Sequence, residues 1–313
     1  MGVLASVDIV IVNWNAGPQL RDCVESIFAH ERELLGSVTV VDNASIDGSA
    51  EFCRQDERVR LIEPGRNLGF GTACNLGASY GSASYVLFLN PDTRFLRETL
   101  ASVVSVMERR EWASVGACSI RLVDDDDTAW RHCSRFPTPS TFLSISLGLT
   151  RLMPKAFPPL ELVNMSHLQD AQVDHVMGAF YFIRRSVFHQ IKGFDERFFV
   201  YYEDLDLSLR VHQAGFSIRY LSGPAVFHRT AGTTQGRARA KALSYLFEGR
   251  MLYADKHYNL AGRALVKGSV LAIEPVRRIA HSLATGSLSS AGDTLKAVGR
   301  LWAAILKRSP DRT

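Results

Sequence analysis

Residues 7–15 read VDIVIVNWN. Val7–Val12 is a short, mostly apolar run rich in β-branched side chains, the pattern of a parallel strand buried on both faces. It stops at the polar triplet Asn13-Trp14-Asn15. The same form recurs at Val38–Val41 (VTVV), Val59–Ile62 (VRLI) and Tyr85–Leu89 (YVLFL), with helical stretches at Gln19–His30, Ser49–Gln55 and Gly71–Tyr80 between them. This rhythm predicts βαβ units and an α/β fold with a doubly wound, mostly parallel sheet. In such sheets ligands bind beyond the carboxyl ends of the strands. Three of those ends carry Asn or Asp: Asn13 and Asn15, Asp42 and Asn43, Asn90 and Asp92. They describe one polar cleft.

Further along the chain, a helix is expected over 95–110 and two strands around the DDDDT turn within 112–135. Adjacent acids between two strands read as a solvated turn, so Asp124–Asp127 is not taken as a metal site. Residues 136–170 are Pro-rich and read as an insertion. A strand at Val173–Ile183, a short helix at Ser186–Ile191 and a helix from Glu203 to Gln213 follow, the last closed at Gly215. Phe216–Leu221 and Ala225–His228 read as strands, and from about Ala238 the pattern is helical.

Of 313 residues, 46% are hydrophobic and 22% charged, which suits a chain with a real core and excludes disorder as a reading of the whole. The cysteines (Cys23, Cys53, Cys74, Cys118, Cys133) are odd in number and form no CxxC pair. That argues against a disulfide framework and a structural zinc site and fits a reducing cytoplasm. No basic leader precedes the first strand, and no run reaches the roughly 18 apolar residues of a membrane span. From Arg237 onward there are 14 Lys and Arg against 5 Asp and Glu, a balance of +9; the preceding residues therefore carry −5 of the net +4. Ala264–Leu283 and Thr294–Lys307 show apolar faces with Lys and Arg opposite. They read either as helices packed on the domain or as helices lying in the headgroup region of a membrane. Nucleic acid is not expected, because the basic residues lie in an amphipathic tail and not on an aromatic-studded face.

Five motifs occur in order: VNWN (12–15), VVDNASIDGS (40–49), NLGFGTACNLG (67–77), NPDT (90–93) and GAFYFIRRSVFHQIKGFDERFFVYYEDLDLSLRVHQAG (178–215). Together they resemble family 2 glycosyltransferases, most closely the bacterial rhamnosyltransferase-like branch. The resemblance implies a GT-A fold: residues 1–236 as the catalytic domain (1–111 binding the nucleotide sugar, 112–236 binding the acceptor) and 237–313 as a basic helical extension. It implies an inverting, metal-dependent transfer from a nucleotide-diphosphate sugar, dTDP-L-rhamnose foremost. The acceptor would be a lipid-linked or polysaccharide hydroxyl of a cell-envelope glycan, met at the inner face of the cytoplasmic membrane.

The candidate residues follow from both readings. Asp42 reads as the acceptor of a pyrimidine N3–H or as an Asx turn before a helix, with Asn13 and Asn15 lining the same pocket. Asp92, with Asn90 where the family usually has a first Asp, is the candidate ligand of Mg²⁺ or Mn²⁺, which would offset the donor's pyrophosphate charge. By resemblance His228 completes that metal site, where an imidazole beside oxygen ligands suits either ion. Inversion needs a base for the acceptor hydroxyl. The resemblance assigns this to Asp204 and has Glu203 orient the acceptor or a neighbouring loop; the plain alternative is an acidic first helical turn. Arg66, Asn67, Gly69 and Asn75 are candidate donor contacts around a loop whose N–H groups can face a phosphate, and Gly178 would let the sugar approach the backbone. Two alternatives stand beside the transferase. A sugar-nucleotide pyrophosphorylase would need a Gly-rich basic loop that VNWNAGPQ lacks. A non-catalytic nucleotide-sugar or glycan-binding module is disfavoured by the joint presence of Asp92, Asp204 and His228.

Overall fold

The computed structural model describes residues 6–31, 33–229 and 239–307. The chain divides into two compact units: Met1–Phe136, Glu161–Phe199 with Glu203–Thr233, and Pro137–Leu160, Val200–Tyr202 with Thr234–Thr313. Residues 137–160, expected in the acceptor half, thus group with the C-terminal helices. The boundary expected at 236/237 falls outside the described residues.

The first unit is built on a nine-stranded sheet. Its strands are β1 (Val7–Asn13), β2 (Leu35–Asp42), β3 (Val59–Ile62), β4 (Tyr85–Leu89), β5 (Thr93–Phe95) and β6 (Val115–Val123). The short β7 (Cys133–Ser134) pairs with β9 (His175–Val176) outside this sheet. β8 (Ala171–Val173), β10 (Phe180–Arg184) and β11 (Ser217–His228) complete it. The order is β3-β2-β1-β4-β10-β6-β11-β5, with β8 on β11. The pairs among β1 to β4 and the β6–β11 pair are parallel, whereas β10 runs antiparallel to both its neighbours. Alternate residues of β1 serve opposite faces, as the period of two requires. Ile9 and Ile11 join the core layer of α1 (Gln19–His30) and α3 (Thr99–Met107). Val10 and Val12 join that of α2 (Phe70–Ala78) and of residues Val187 and Phe188. Asp8, the one charge in β1, is neutralised by Arg185 at 2.7 Å.

Four elements differ from the sequence expectation, each for a tertiary reason. The helix expected from 95 begins at Thr99, because Thr93–Phe95 pairs as a strand with Val226–His228. The strand expected at Val173–Ile183 is split into three strands with different partners: β8 pairs with β11, β9 with β7, and β10 with β4 and β6. The two strands expected at 216–228 are one, β11, with a register shift between Leu221 and Ala225. The expected helix at 49–55 is a single 3-10 turn, Glu51–Arg54. The DDDDT segment is an exposed turn closed by Asp124, whose Oδ1 accepts from Asp126 N and Thr128 N.

Beside β7, His132 is buried, with Nδ1 3.0 Å from the Trp130 carbonyl and Nε2 3.3 Å from Ser119 Oγ. Burial pushes its pKa from 6.5 down to about 4. The unfolded chain therefore binds a proton between those values that the folded one does not, so stability present at neutral pH is lost on acidification. The expected loss is about 3 kcal/mol from pH 6.5 to 4. Chemical denaturation across this range, with His132→Gln showing a flatter dependence, checks it.

The second unit is helical. It comprises α4 (Pro139–Leu147) and α5 (Leu149–Leu152), then, beyond α6 (Arg185–Gln190) and α7 (Glu203–Gln213) of the first unit, α8 (Arg239–His257) and α9 (Leu260–Gly268). α9 continues through a π turn into α10 (Glu274–Ala284), and α11 (Leu288–Lys307) closes the unit. Pro139 at N1 and a Thr138 capping box start α4. Phe142 packs among Tyr202, Tyr253 and Tyr258. The buried Arg250–Glu274 pair is joined by Arg278 and the Ser146 hydroxyl. Among the described residues, no helix is long and apolar enough to cross a membrane.

Candidate active site

The strand ends meet as the parallel order demands. Asn13 and Asp42 are direct partners in the β1–β2 register. The buried Asn13 amide Nδ2 donates to Asp42 Oδ1 at 2.8 Å, Ser45 Oγ at 3.1 Å and Ser49 Oγ at 2.8 Å. Asp42 Oδ1 also accepts from Ser45 Oγ at 2.6 Å, and its Oδ2 accepts from Ser45 N at 3.3 Å, which is the Asx turn. Asn15, at φ 53°, accepts Ile46 N at 2.8 Å through Oδ1. Asn13 through Nδ2 and Asn15 through Oδ1 therefore hold the loop that presents Asp42, while Asn13 Oδ1 is buried without a partner among the described residues. Replacing Asn13 with Ala strips Asp42, Ser45 and Ser49 of a shared buried donor. A loss of about 2 kcal/mol and a melting temperature lower by about 5 °C are expected, read by calorimetry.

Asn43, not singled out as a donor contact, links this loop to the next: its Nδ2 donates to Gly69 O at 3.0 Å and its Oδ1 accepts Leu68 N at 3.2 Å. Asn67 Oδ1 accepts Gly69 N at 2.9 Å. Gly69 has φ 83° and ψ 175°, and a Cβ there would overlap the Phe199 carbonyl, which accepts Phe70 N at 2.8 Å. Asn75 clamps the 194–196 segment, donating to Phe194 O at 2.9 Å and accepting Phe194 N at 2.8 Å. Arg66 is exposed and makes no side-chain hydrogen bond or ion pair among the described residues. Asn90 contributes backbone: its N–H donates to Ala179 O, and its carbonyl accepts from Thr93.

β5 brings the metal candidates together. His228 pairs with Thr93 across the antiparallel β5–β11 ladder. This sets His228 Nε2 3.4 Å from Asp92 Oδ1. Both side chains are largely buried, and neither Asp92 Oδ1 nor His228 Nδ1 has a hydrogen-bond partner. An orphaned carboxylate oxygen beside an imidazole suits a divalent cation with mixed oxygen and nitrogen ligands. Among the described residues no group of three His, Cys, Asp or Glu side chains forms. Among the described residues the pair would hold an ion together with oxygen ligands from a phosphate or water, as such cations commonly accept.

At the start of α7 two adjacent acids have opposite surroundings. Asp204 Oδ2 accepts Gly178 N at 2.9 Å and lies 3.9 Å from His175 Nε2, and Oδ1 accepts Leu205 N at 2.8 Å. The side chain stays 18% exposed, so a solute can reach it. His175 is held from behind by Ser208 Oγ at 3.0 Å, which also meets the Tyr181 hydroxyl at 3.1 Å. No sequence signal marked His175; only the break in the predicted strand at 178 brings it under Asp204. Glu203 is buried, its Oε2 has no partner, and its Cβ lies 3.5 Å from where a Gly71 Cβ would sit. Burial, reinforced by the Asp204 charge, holds its carboxyl well above the usual carboxylate range. Of the two roles expected of Glu203, orienting an acceptor or a neighbouring loop, its burial beside Gly71 is the setting that suits the loop. Gly178 gives its N–H to Asp204 and so orients the candidate base.

Residues 8–192, more than half of the chain, match the family model for glycosyl transferase family 2. The chain belongs to that family and is a glycosyltransferase of the rhamnosyltransferase-like branch. It is 30% identical over 269 residues to the N-acetylglucosaminyl-diphospho-decaprenol L-rhamnosyltransferase of Mycobacterium tuberculosis, covering 80% of this chain and 84% of the relative. It is 27% identical over 233 residues to the rhamnosyltransferase WbbL of Escherichia coli, covering 71% and 83%. In fold it is similar to the mannosyltransferase PcManGT from Pyrobaculum calidifontis, solved with GDP-Man and Mn²⁺, with a TM-score of 0.53 at 18% identity over 99% of this chain and 82% of that one. The fold is GT-A.

Proposed function

We propose that this glycosyltransferase transfers L-rhamnose from dTDP-L-rhamnose, with inversion, to a hydroxyl of a lipid-linked or polysaccharide acceptor in cell-envelope glycan synthesis. The observation that carries the chemistry is the accessible Asp204 carboxylate, oriented by Gly178 N–H and backed by His175. Asp204 takes the acceptor proton as that oxygen attacks the anomeric carbon. The bond from that carbon to the phosphate oxygen breaks, and the nucleoside diphosphate leaves with the electron pair. Asp42 accepts from the pyrimidine ring, Arg66 and the loop at Gly69 meet the diphosphate, and Asp92 with His228 would hold the ion. Mg²⁺ or Mn²⁺ bound there would offset the charge that develops on the leaving diphosphate. The rhamnosyl assignment leans on the two relatives' names. The net basic charge of the C-terminal helices supports a reaction at the inner face of the cytoplasmic membrane, where a lipid-linked acceptor would be met.

The test is release of nucleoside diphosphate from a panel of nucleotide sugars with Mn²⁺ or Mg²⁺, with calorimetry for binding. Turnover or binding selective for dTDP-L-rhamnose and abolished by EDTA is expected. Selectivity for a UDP- or GDP-sugar would remove the rhamnosyl assignment. No binding to any donor, with EDTA without effect, would favour a non-catalytic module.

A further inference from the structure

A hollow of the helical unit is lined by no residue of the candidate active site. It is a cavity of about 740 Å³ between α4, α5, α8, α10 and the start of α11. Arg151, Arg239, Arg277, Arg278 and His281 line it, opposed by one carboxylate, Asp293. Among the described residues, Arg278 alone of these guanidinium groups is matched by a carboxylate, the Glu274 that also serves Arg250. Arg277 gives Nε to the Ser146 carbonyl at 2.7 Å. Arg151 and Arg239 are exposed and make no ion pair among the described residues. At least two cationic side chains therefore face the cavity without a partner, and Arg277 has only a neutral one.

Hydroxyls complete the lining: Thr285, Ser287 and Ser290 sit where α10 passes into the 20-residue α11. Guanidinium forks, hydroxyls and the amino end of a long helix together are what a phosphate group is recognised by. The cavity also has an apolar side, formed by Ile145, Leu147, Leu152 and Leu243. Leu147 and Leu152 are 41% and 76% exposed. A free phosphate has no use for such a rim; a phosphate carried on a hydrocarbon chain does. An exposed stripe runs down α11 as well, through Leu288, Leu295, Trp302 and Leu306. Leucines with a tryptophan at this spacing suit the headgroup boundary of a bilayer.

We propose that this cavity binds the phosphate or diphosphate head group of a membrane lipid, with the leucine rim receiving the start of the lipid chain. This rests on the membrane-contact part of the reading above and is independent of the transfer chemistry.

The test uses the full chain and sedimentation with vesicles of phosphatidylcholine alone or with phosphatidic acid added. Binding should require phosphatidic acid, and inorganic pyrophosphate should displace the protein. Arg151→Glu with Arg239→Glu should weaken binding by about tenfold or more, through loss of two cations near the anionic surface and repulsion from the added acids. Lys296→Glu with Arg300→Glu, the same charge change on α11 outside the cavity, should cost far less. Retained melting temperature and nucleoside-diphosphate binding show that each variant is folded. Equal losses for both pairs would overturn the cavity and leave a diffuse membrane contact. Equal binding to phosphatidylcholine alone would overturn phosphate recognition. Binding of pyrophosphate without any vesicle binding would overturn the lipid source, and the membrane contact with it.

Discussion

Replacing Asp204 with Asn is expected to lower kcat by about 10²- to 10⁴-fold, the usual contribution of a positioned base, with donor affinity little changed. The substitution keeps an oxygen for Gly178 N–H but leaves no group that takes a proton at neutral pH. The informative comparison is the adjacent residue. Glu203 is buried and its carboxyl is held toward the protonated form. Gln is close to an isostere of that neutral acid, so Glu203→Gln should retain activity within a few-fold. The two variants share a helical turn and differ in environment alone. Steady-state kinetics across pH decides between them: the Asp204 loss should persist at every pH, because the group is gone and not shifted. If Asp204→Asn keeps more than about a tenth of the rate, the base is elsewhere. If Glu203→Gln is the damaging change, the roles of the pair are reversed.

Gly69→Ala is expected to cost about 3 kcal/mol or more in stability and to weaken donor binding. At φ 83° and ψ 175° the backbone occupies a region that side chains other than glycine avoid. The added Cβ would also overlap the Phe199 carbonyl, and a backbone group in a packed segment cannot swing aside. Displacing it would break the Phe70 N–H bond to that carbonyl and disturb the loop that Asn43 and Asn67 hold. Gly65 supplies the control: its φ is 74°, yet a Cβ there meets nothing within 4 Å. Gly65→Ala should cost only about 1 kcal/mol, the conformational part. Thermal unfolding and calorimetric donor titration of both variants measure the difference. Equal costs would show that the close approach to Phe199 is unimportant.

Much of the first unit was legible because its signals are local. β3, β4, α1 and α7 have the bounds that periodicity and end residues predict, since each is a continuous run with one kind of neighbour on each face. The strand-end rule likewise brought Asn13 and Asp42 together before any coordinates. What escaped was decided between distant segments. Thr93–Phe95 reads as the approach to a helix, yet it is a strand because β11 returns beside it. That pairing, and no local signal, sets His228 next to Asp92. The stretch 173–183 reads as one strand, but its parts answer to different partners, and the break leaves Gly178 N–H free for Asp204.

The division of labour among the polar residues was also out of reach of the sequence. Asn13, Asn15, Asn67 and Asn75 look like ligand contacts as residue types, and all four spend at least one hydrogen-bonding group on other segments or loops of the chain. Glu203 and Asp204 are equivalent as letters; one is buried beside Gly71 and the other is accessible. By itself the sequence determined the α/β class, the polar cleft and the family, because these depend on the order and period of residue types along the chain. Only the tertiary structure decided that Asp204 is partly exposed and Glu203 buried, that Asp92 Oδ1 and His228 Nδ1 lack partners among the described residues, and that the arginines of α5, α8 and α10 share one cavity. Burial, hydrogen-bond saturation and the gathering of like charges are properties of neighbours in space, and those neighbours are set by packing between segments far apart in the chain.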